Sequence, residues 1–456
     1  MPDAQGKFQY LAQDGAVAQE GACRVHFDVQ TLTVTPQTGA ALAFDLGDLD
    51  AVTAANYEVR LPIYTGRIIV LRQLGKSYDN LAHDLTEAHR NRAVQCLLLE
   101  DMREIARFSA SYELAGSVSA SGPAEFRLYQ SNLAVLPAAA QSFQWRLADI
   151  DEMHLDSAAY EVVLRCGDDR LKVTLLAKRT EEFADKLREA MTALATKTAQ
   201  ALHTMLPFLD PDQLQSCASL LREGRSAAVT KLAAIHKQIP AAFTAKAVDQ
   251  DLRPYYDQLV ARSASGLGYA GFKLIRPEDS TTAAASAEAG SAVPPQNESD
   301  AEDNAASDAP DADATGPQML YWFLLPLAAK RGGSAPANVV AWEASSRTGR
   351  ATYFFRLVEP TQTAQLSDPA RAPALVDASI RRLNRVLAMV NFRRRPIYLS
   401  DEELAYDERF HRYAIAARRL PEVREVRASF LGRALHTSPE AWKAQVDAIL
   451  STSGGY

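Results

Sequence analysis

Phe44-Asp45-Leu46-Gly47-Asp48-Leu49-Asp50 returns about a hundred residues later as Trp145-Arg146-Leu147-Ala148-Asp149-Ile150-Asp151. The flanks repeat as well. Leu32-Thr33-Val34-Thr35-Pro36 answers to Leu133-Ala134-Val135-Leu136-Pro137, and Tyr57-Glu58-Val59 answers to Tyr160-Glu161-Val162. Lys76, Leu81 and Leu85 then match Lys178, Phe183 and Leu187, so residues 24–92 lie over residues 126–194 at an offset of 101 to 103. Agreement kept in order over such a length marks an internal duplication.

Each copy reads as short strands closed by one helix. Arg24-Val25-His26-Phe27 and Phe126-Arg127-Leu128-Tyr129 alternate apolar and polar side chains, as a strand with one buried face requires. Gly39, Gly47 and Gly66 punctuate the first copy, and Cys166-Gly167-Asp168-Asp169 joins two apolar runs of the second as a hairpin. The period then changes. Leu81, Leu85, Val94 and Leu98 share one side of a helix starting near Ser77, and Phe183, Leu187, Met191 and Leu194 do so after Thr180.

Antiparallel strands followed by a single helix, twice over, resembles the pleckstrin-homology-like (PH-like, GRAM-like) superfold, including uncharacterised bacterial variants. The resemblance covers about 180 residues and rests on element order and duplication. It implies two packed sheets plugged at one end by the C-terminal helix, and binding of phosphoinositides, peptides or partner domains. The first interstrand loop, basic in lipid-binding members, has neither Lys nor Arg here at Asp28–Gln30 or Gln130–Asn132. That directs the expectation towards proteins rather than lipids.

Outside the duplication the chain changes character. Asp210-Pro211-Asp212 offers a cap and an N1 proline for a helix carrying Leu214, Cys217, Leu220 and Leu221; another helix is predicted from Ser226 to Gln238. Residues 277–317 hold ten acidic residues and neither Lys nor Arg, in an Ala, Ser and Pro background, and are predicted to be disordered. From Gln318 onward the formal charge is +7, against −10 for that stretch and −7 for the chain. Strands are predicted at Gly268–Ile275, Met319–Leu325, Asn338–Ala344 and Ala351–Val358, the last two joined through residues 345–350, before a helix from Pro373 to Phe392.

The predicted architecture is therefore α+β and multidomain. An N-terminal leader (1–20) precedes two PH-like sandwich-plus-helix modules (21–108 and 109–200). A helical connector (201–265) leads to a C-terminal α+β domain with an antiparallel sheet (266–456), interrupted by the acidic loop 277–317. At 456 residues, several cores are expected. Four widely spaced cysteines, no basic and apolar N-terminal leader and no run long enough to span a bilayer predict a cytoplasmic protein without a transmembrane segment.

The eight histidines show no HxH or HExxH spacing, and no phosphate-binding glycine loop or GxSxG motif occurs. No catalytic, metal or cofactor residue is predicted. Glu343, on a predicted strand beside Trp342, is read as a paired carboxylate at a sheet face, and a hydrolytic site around it as a remote third reading. Arg381, Arg382, Arg385, Arg393, Arg394 and Arg395 form a candidate anion-binding set for nucleic acid or anionic lipid. The competing reading is a solvated face salt-bridged to Asp377, Asp401, Glu402 and Glu403. The function expected is a non-enzymatic binding or scaffold protein acting through the tandem modules on a protein partner, with anion binding by the C-terminal arginines as the alternative.

Overall fold

In the first copy, β1 (Ala4–Leu11), β2 (Val17–Phe27), β3 (Thr31–Pro36), β4 (Leu42–Asp45), β5 (Thr53–Ala55), β6 (Glu58–Pro62) and β7 (Ile68–Arg72) form one antiparallel sheet ordered β4-β3-β2-β1-β7-β6-β5, followed by helix α1 (Tyr78–Cys96). The second copy repeats it. Strands β8 (Glu104–Ala115), β9 (Ala120–Tyr129), β10 (Asn132–Pro137), β11 (Phe143–Arg146), β12 (Glu152–Asp156), β13 (Glu161–Cys166) and β14 (Asp169–Thr174) take the order β11-β10-β9-β8-β14-β13-β12, before α2 (Thr180–Met205). The computed structural model describes residues 4–99, 102–116, 118–137, 139–275, 318–330, 332–345, 350–407 and 410–452. The acidic stretch 277–317 and residues 346–349 of the 345–350 connection lie outside them.

Two compact units result, Met1–Met191 with Leu404–Pro421, and Thr192–Glu403 with Glu422–Tyr456. In the first unit, Phe8, Val25, Val34, Val59, Leu61, Ile69 and Leu71 share one core with Leu81 and Leu85 of α1. Both ends of the sheet thus face a single helix. In the second copy Phe183 of α2 fills the equivalent place, its ring edge-on to Phe108 at 5.1 Å and to Phe126 at 5.8 Å. The duplication extends to unusual backbone: Tyr57, Gln73 and Gly75 have positive φ, and so do Tyr160, Leu175 and Ala177 at the matching positions.

Several boundaries differ from expectation. Residues 4–11 are not a leader, because β1 pairs with both β2 and β7 and sits at the centre of its sheet. Their alternation is interrupted by Gly6 and Gln9, so propensity understates a strand that tertiary pairing enforces. Leu98 lies beyond the end of α1 with φ of 60°, although it is buried. Thr180 does not cap α2 but is its first residue, its hydroxyl donating to the Ala177 carbonyl at 2.9 Å.

The two copies differ in what covers their outer faces. Along β3 burial alternates, whereas every residue of β10 is buried. Thr33 and Thr35 are replaced by Ala134 and Leu136, so β10 is apolar on both sides. Helix α1 lies against that face. Arg127 donates to Asn91 Oδ1 at 2.7 Å and pairs with Glu125, which Arg90 approaches at 3.5 Å.

In the second unit, β15 (Ser226–Ala228), β16 (Tyr269–Ile275), β17 (Gln318–Ala328), β18 (Pro336–Ala344), β19 (Ala351–Arg356) and β20 (Phe430–Leu435) form an antiparallel sheet in chain order. Helices α3 (Pro211–Leu220), α4 (Val229–Ile235), α5 (Ile239–Ala247) and α6 (Arg253–Arg262) precede the long strands. Then come α7 (Thr363–Leu366), α8 (Ala372–Met389), α9 (Arg395–Tyr398), α10 (Asp401–Tyr406), α11 (His411–Arg419), α12 (Pro421–Ser429) and α13 (Pro439–Thr452), of which α11 packs in the first unit. Asp210 starts α3 through a full capping box with Gln213, as Asp210-Pro211 predicts. The helix predicted over 226–238 is only α4, because Ser226–Ala228 pairs with Tyr269–Gly271 as an edge strand instead.

Residues 201–265 are not a free-standing connector. Leu202, Leu206, Phe243 and Leu259 share a core with Phe272, Phe323, Phe354 and Trp442. The opposite sheet face carries Trp322, whose indole N–H donates to Asn384 Oδ1 of α8 at 3.0 Å and whose ring meets Phe392 at 4.0 Å. Gly271 admits that indole: a Cβ there would lie 2.5 Å from Trp322 Cζ2 and 3.0 Å from the Arg225 carbonyl. Gly271→Ala is expected to lower stability by about 1–3 kcal/mol through overpacking, read as a lower denaturation midpoint. An unchanged midpoint would mean the ring moves freely.

Candidate binding site

Residues 404–421 pack within the first unit although most of their neighbours in sequence belong to the second. They bring α11 to the first copy beside the short 3-10 turn Leu46–Asp48 and α1. Asp45 builds that turn, its Oδ1 accepting the Gly47 N–H at 2.7 Å. Arg92 of α1 holds the same carboxylate through two bonds, Nε to Oδ1 at 2.9 Å and Nη2 to Oδ2 at 2.6 Å, with both side chains under a tenth exposed. Asp48 and Asp50 line the rim. Arg418 reaches Asp48 Oδ1 at 2.6 Å, and Arg419 reaches Asp50 Oδ1 at 2.7 Å and the Asp48 carbonyl at 3.4 Å.

Gly47 forms the floor. A Cβ there would lie 2.7 Å from Cys96 Sγ and 3.1 Å from Ile415 Cγ2, so only the bare backbone lets α11 come this close. Arg418 also lies over the Tyr64 ring at 5.2 Å, and Ala414, Ala416 and Ala417 are buried. The result is an acidic notch with an apolar floor that receives a helix ending in two arginines.

Beneath the notch His89 Nε2 carries the proton, because its partner at 3.1 Å is the Leu49 carbonyl, which can only accept. Burial chiefly holds this imidazole down at about 4, against an ordinary 6.5; the Arg419 and Arg90 charges act in the same direction, and the hydrogen bond opposes them. The unfolded chain therefore takes up a proton near pH 6.5 that the folded chain refuses until about pH 4. His89 contributes fully above pH 6.5, and its contribution falls by at most about 1.4 kcal/mol per pH unit below that. Denaturation midpoints between pH 7 and 4 should fall more steeply in the parent protein than in His89→Gln; parallel curves would refute the assignment.

The predicted arginines are divided. Arg381, Arg382 and Arg385 lie on α8, where Arg381 pairs with Asp377 at 3.2 Å and Arg382 with Glu425. Arg393 follows α8, Arg394 is nearly buried with its guanidinium 5.6 Å from the Tyr353 ring centre, and Arg395 opens α9. Arg433 lies over Tyr398 at 4.3 Å, and the Tyr353 and Tyr398 rings are 6.1 Å apart. Arg394 thus belongs to an arginine and tyrosine cluster, apart from Arg381 and Arg382 with their carboxylate partners on α8 and α12.

Glu343 on β18 is paired and fully buried. Its Oε2 accepts from Thr352 Oγ1 at 2.6 Å and lies 3.3 Å from His436 Nε2. Thr352 Oγ1 also accepts the Trp442 indole N–H at 2.9 Å, and Tyr255 stacks on His436 at 4.2 Å. With the threonine proton on Glu343, the 3.0 Å contact makes His436 Nε2 a donor. This network ties α6 and α13 to β18, β19 and the residue that follows β20.

Among the described residues no group of three or more His, Cys, Asp or Glu is placed to hold a metal ion, and no helix is long and apolar enough to cross a membrane. No protein-family model matches the chain, and no curated protein matches it in sequence. Sequence reading missed the notch, although a signal for it was present. Within the repeated heptapeptides, Asp45 and Gly47 are replaced by Arg146 and Ala148 in the second copy. The copies thus part at the floor of the notch, whereas its rim carboxylates Asp48 and Asp50 recur as Asp149 and Asp151.

Proposed function

We propose that this chain is a non-enzymatic cytoplasmic scaffold whose two PH-like modules bind other proteins. The strand order repeated in both copies, each followed by a closing helix, supports the PH-like reading. The observation that carries the binding role is α11 itself, a helix from far along the chain seated on the first copy by paired charges and a shaped floor. A module that already takes one helix offers the chemistry for helical protein ligands.

The test is capture of cytosolic proteins on the immobilised full chain at low and high salt, with nucleic-acid and lipid detection in parallel. Proteins held through the high-salt wash support the reading. The arginine and tyrosine cluster around Arg394 and Arg433 favours anion binding as the second reading, since cations interleaved with rings suit phosphates and bases. Recovery of nucleic acid or anionic lipid alone, lost as salt rises, would overturn the first reading in favour of the second.

A further inference from the structure

We infer that the notch of the first copy is a receptor for a protein helix bearing a branched aliphatic residue followed three and four positions later by two arginines, and that α11 is its exchangeable occupant in cis. The inference rests on the binding role proposed above and names the surface and the ligand chemistry. The motif is read from Ile415, Arg418 and Arg419, which meet Gly47, Asp48 and Asp50.

Three features make this contact exchangeable rather than structural. First, its ion pairs reach solvent in part: Asp50 is 47 % exposed beside Arg419 at 11 %, and Arg418 27 % beside Asp48 at 20 %, so added salt screens them in part. Second, α11 has nine residues, too few to persist as a helix without a surface to pack on, so its helicity depends on the notch. Third, the described residues among 404–421 contribute no strand to any sheet, so their departure breaks no described strand pairing. The floor is different in kind, because the contacts that build it, the Arg92–Asp45 pair and the Gly47 N–H donated to Asp45, lie wholly within the first copy and involve no residue of α11.

The second copy supplies an internal contrast. There Ala148 carries the Cβ that Gly47 lacks, and Arg146 stands where Asp45 does, paired with Asp149 at 3.3 Å. Asp151 instead accepts the Gly167 N–H at 2.9 Å. The same heptapeptide thus carries α11 in the first copy and an Arg146–Asp149 pair in the second. An apolar floor with an acidic rim selects a helix with Ile at its centre and cationic residues at its C-terminal end, where the helix dipole also favours them.

The probe is a labelled peptide spanning residues 410–421, titrated by fluorescence anisotropy into the full chain and into full-length Arg418→Glu/Arg419→Glu, which empties the notch. Binding to the emptied protein should be at least about tenfold tighter than to the parent. It should weaken with salt and be lost on adding Asp48→Lys/Asp50→Lys or on changing Ile415 of the peptide to Asp. Equal binding to both proteins, or to neither, would overturn the inference. If the emptied variant does not fold, hydrogen exchange on the parent decides: residues 410–421 should exchange faster than α1 and faster still in salt, and protection equal to α1 refutes exchange. A parent dimer that Arg418→Glu/Arg419→Glu dissociates would make a second copy the occupant and overturn the cis assignment. Failure here is separable from failure of the scaffold reading. Captured proteins whose retention ignores these substitutions keep that reading and sink this surface, whereas peptide binding without any captured protein does the reverse.

Discussion

Replacing Arg92 by leucine is expected to lower the stability of the first unit by about 3–5 kcal/mol, the range for removing one member of a buried pair. Both nitrogens that hold Asp45 disappear together, and the carboxylate stays buried with the Gly47 N–H as its remaining described donor. The loss comes mainly from a stranded charge rather than from the forgone attraction, since charges in low dielectric are costly when unpaired. The double change Asp45→Leu/Arg92→Leu should therefore recover a large part of the stability. Chemical denaturation of the two single variants and the double variant completes the cycle. A loss under about 1 kcal/mol for Arg92→Leu would place the pair among solvent-screened surface contacts instead.

Thr352→Val should cost about 2–4 kcal/mol, although valine matches threonine in shape and suits a strand. One hydroxyl serves three groups here, donating to Glu343 and accepting from Trp442 and His436. Its removal leaves buried donors and an acceptor without that partner, each worth roughly 1–3 kcal/mol if nothing replaces it. Trp442→Phe deletes the indole donor, so its effect should be smaller in the Thr352→Val background than in the parent. Additive losses would mean that the network is not coupled through Thr352. Since Trp442 belongs to α13 and Tyr255 to α6, local hydrogen exchange in those helices should rise together.

The repeats were legible because a duplicated core repeats its apolar positions. Leu81 and Leu85 against Phe183 and Leu187 carry the same helix face, and all four are buried. The strands of the C-terminal sheet were legible for a related reason, since β16 to β19 are long apolar runs bounded by turn-formers. Short edge elements were not. Ser226–Ala228 has no pattern of its own and becomes a strand only because β16 offers its edge. Glu343 could be read as paired, but its partners Thr352, His436 and Trp442 come from separate parts of the chain, and no local period links them.

By itself the sequence determined that the protein contains two related strand-and-helix modules, that the part from Gln318 onward is basic and rich in strands, and that acidic residues are concentrated between Pro277 and Pro317. Periodicity and composition record which side chains must leave water, and those quantities are local. Only the tertiary structure decided that β1 is a central strand, that the outer face of β10 lies under α1, and that α11 belongs to the first unit. Those outcomes depend on matches of charge and shape between residues hundreds of positions apart, such as Asp48 with Arg418 and Gly47 with Ile415. Such contacts leave little trace in the linear chain, here only the exchange of Asp45 and Gly47 for Arg146 and Ala148 between two copies of one heptapeptide.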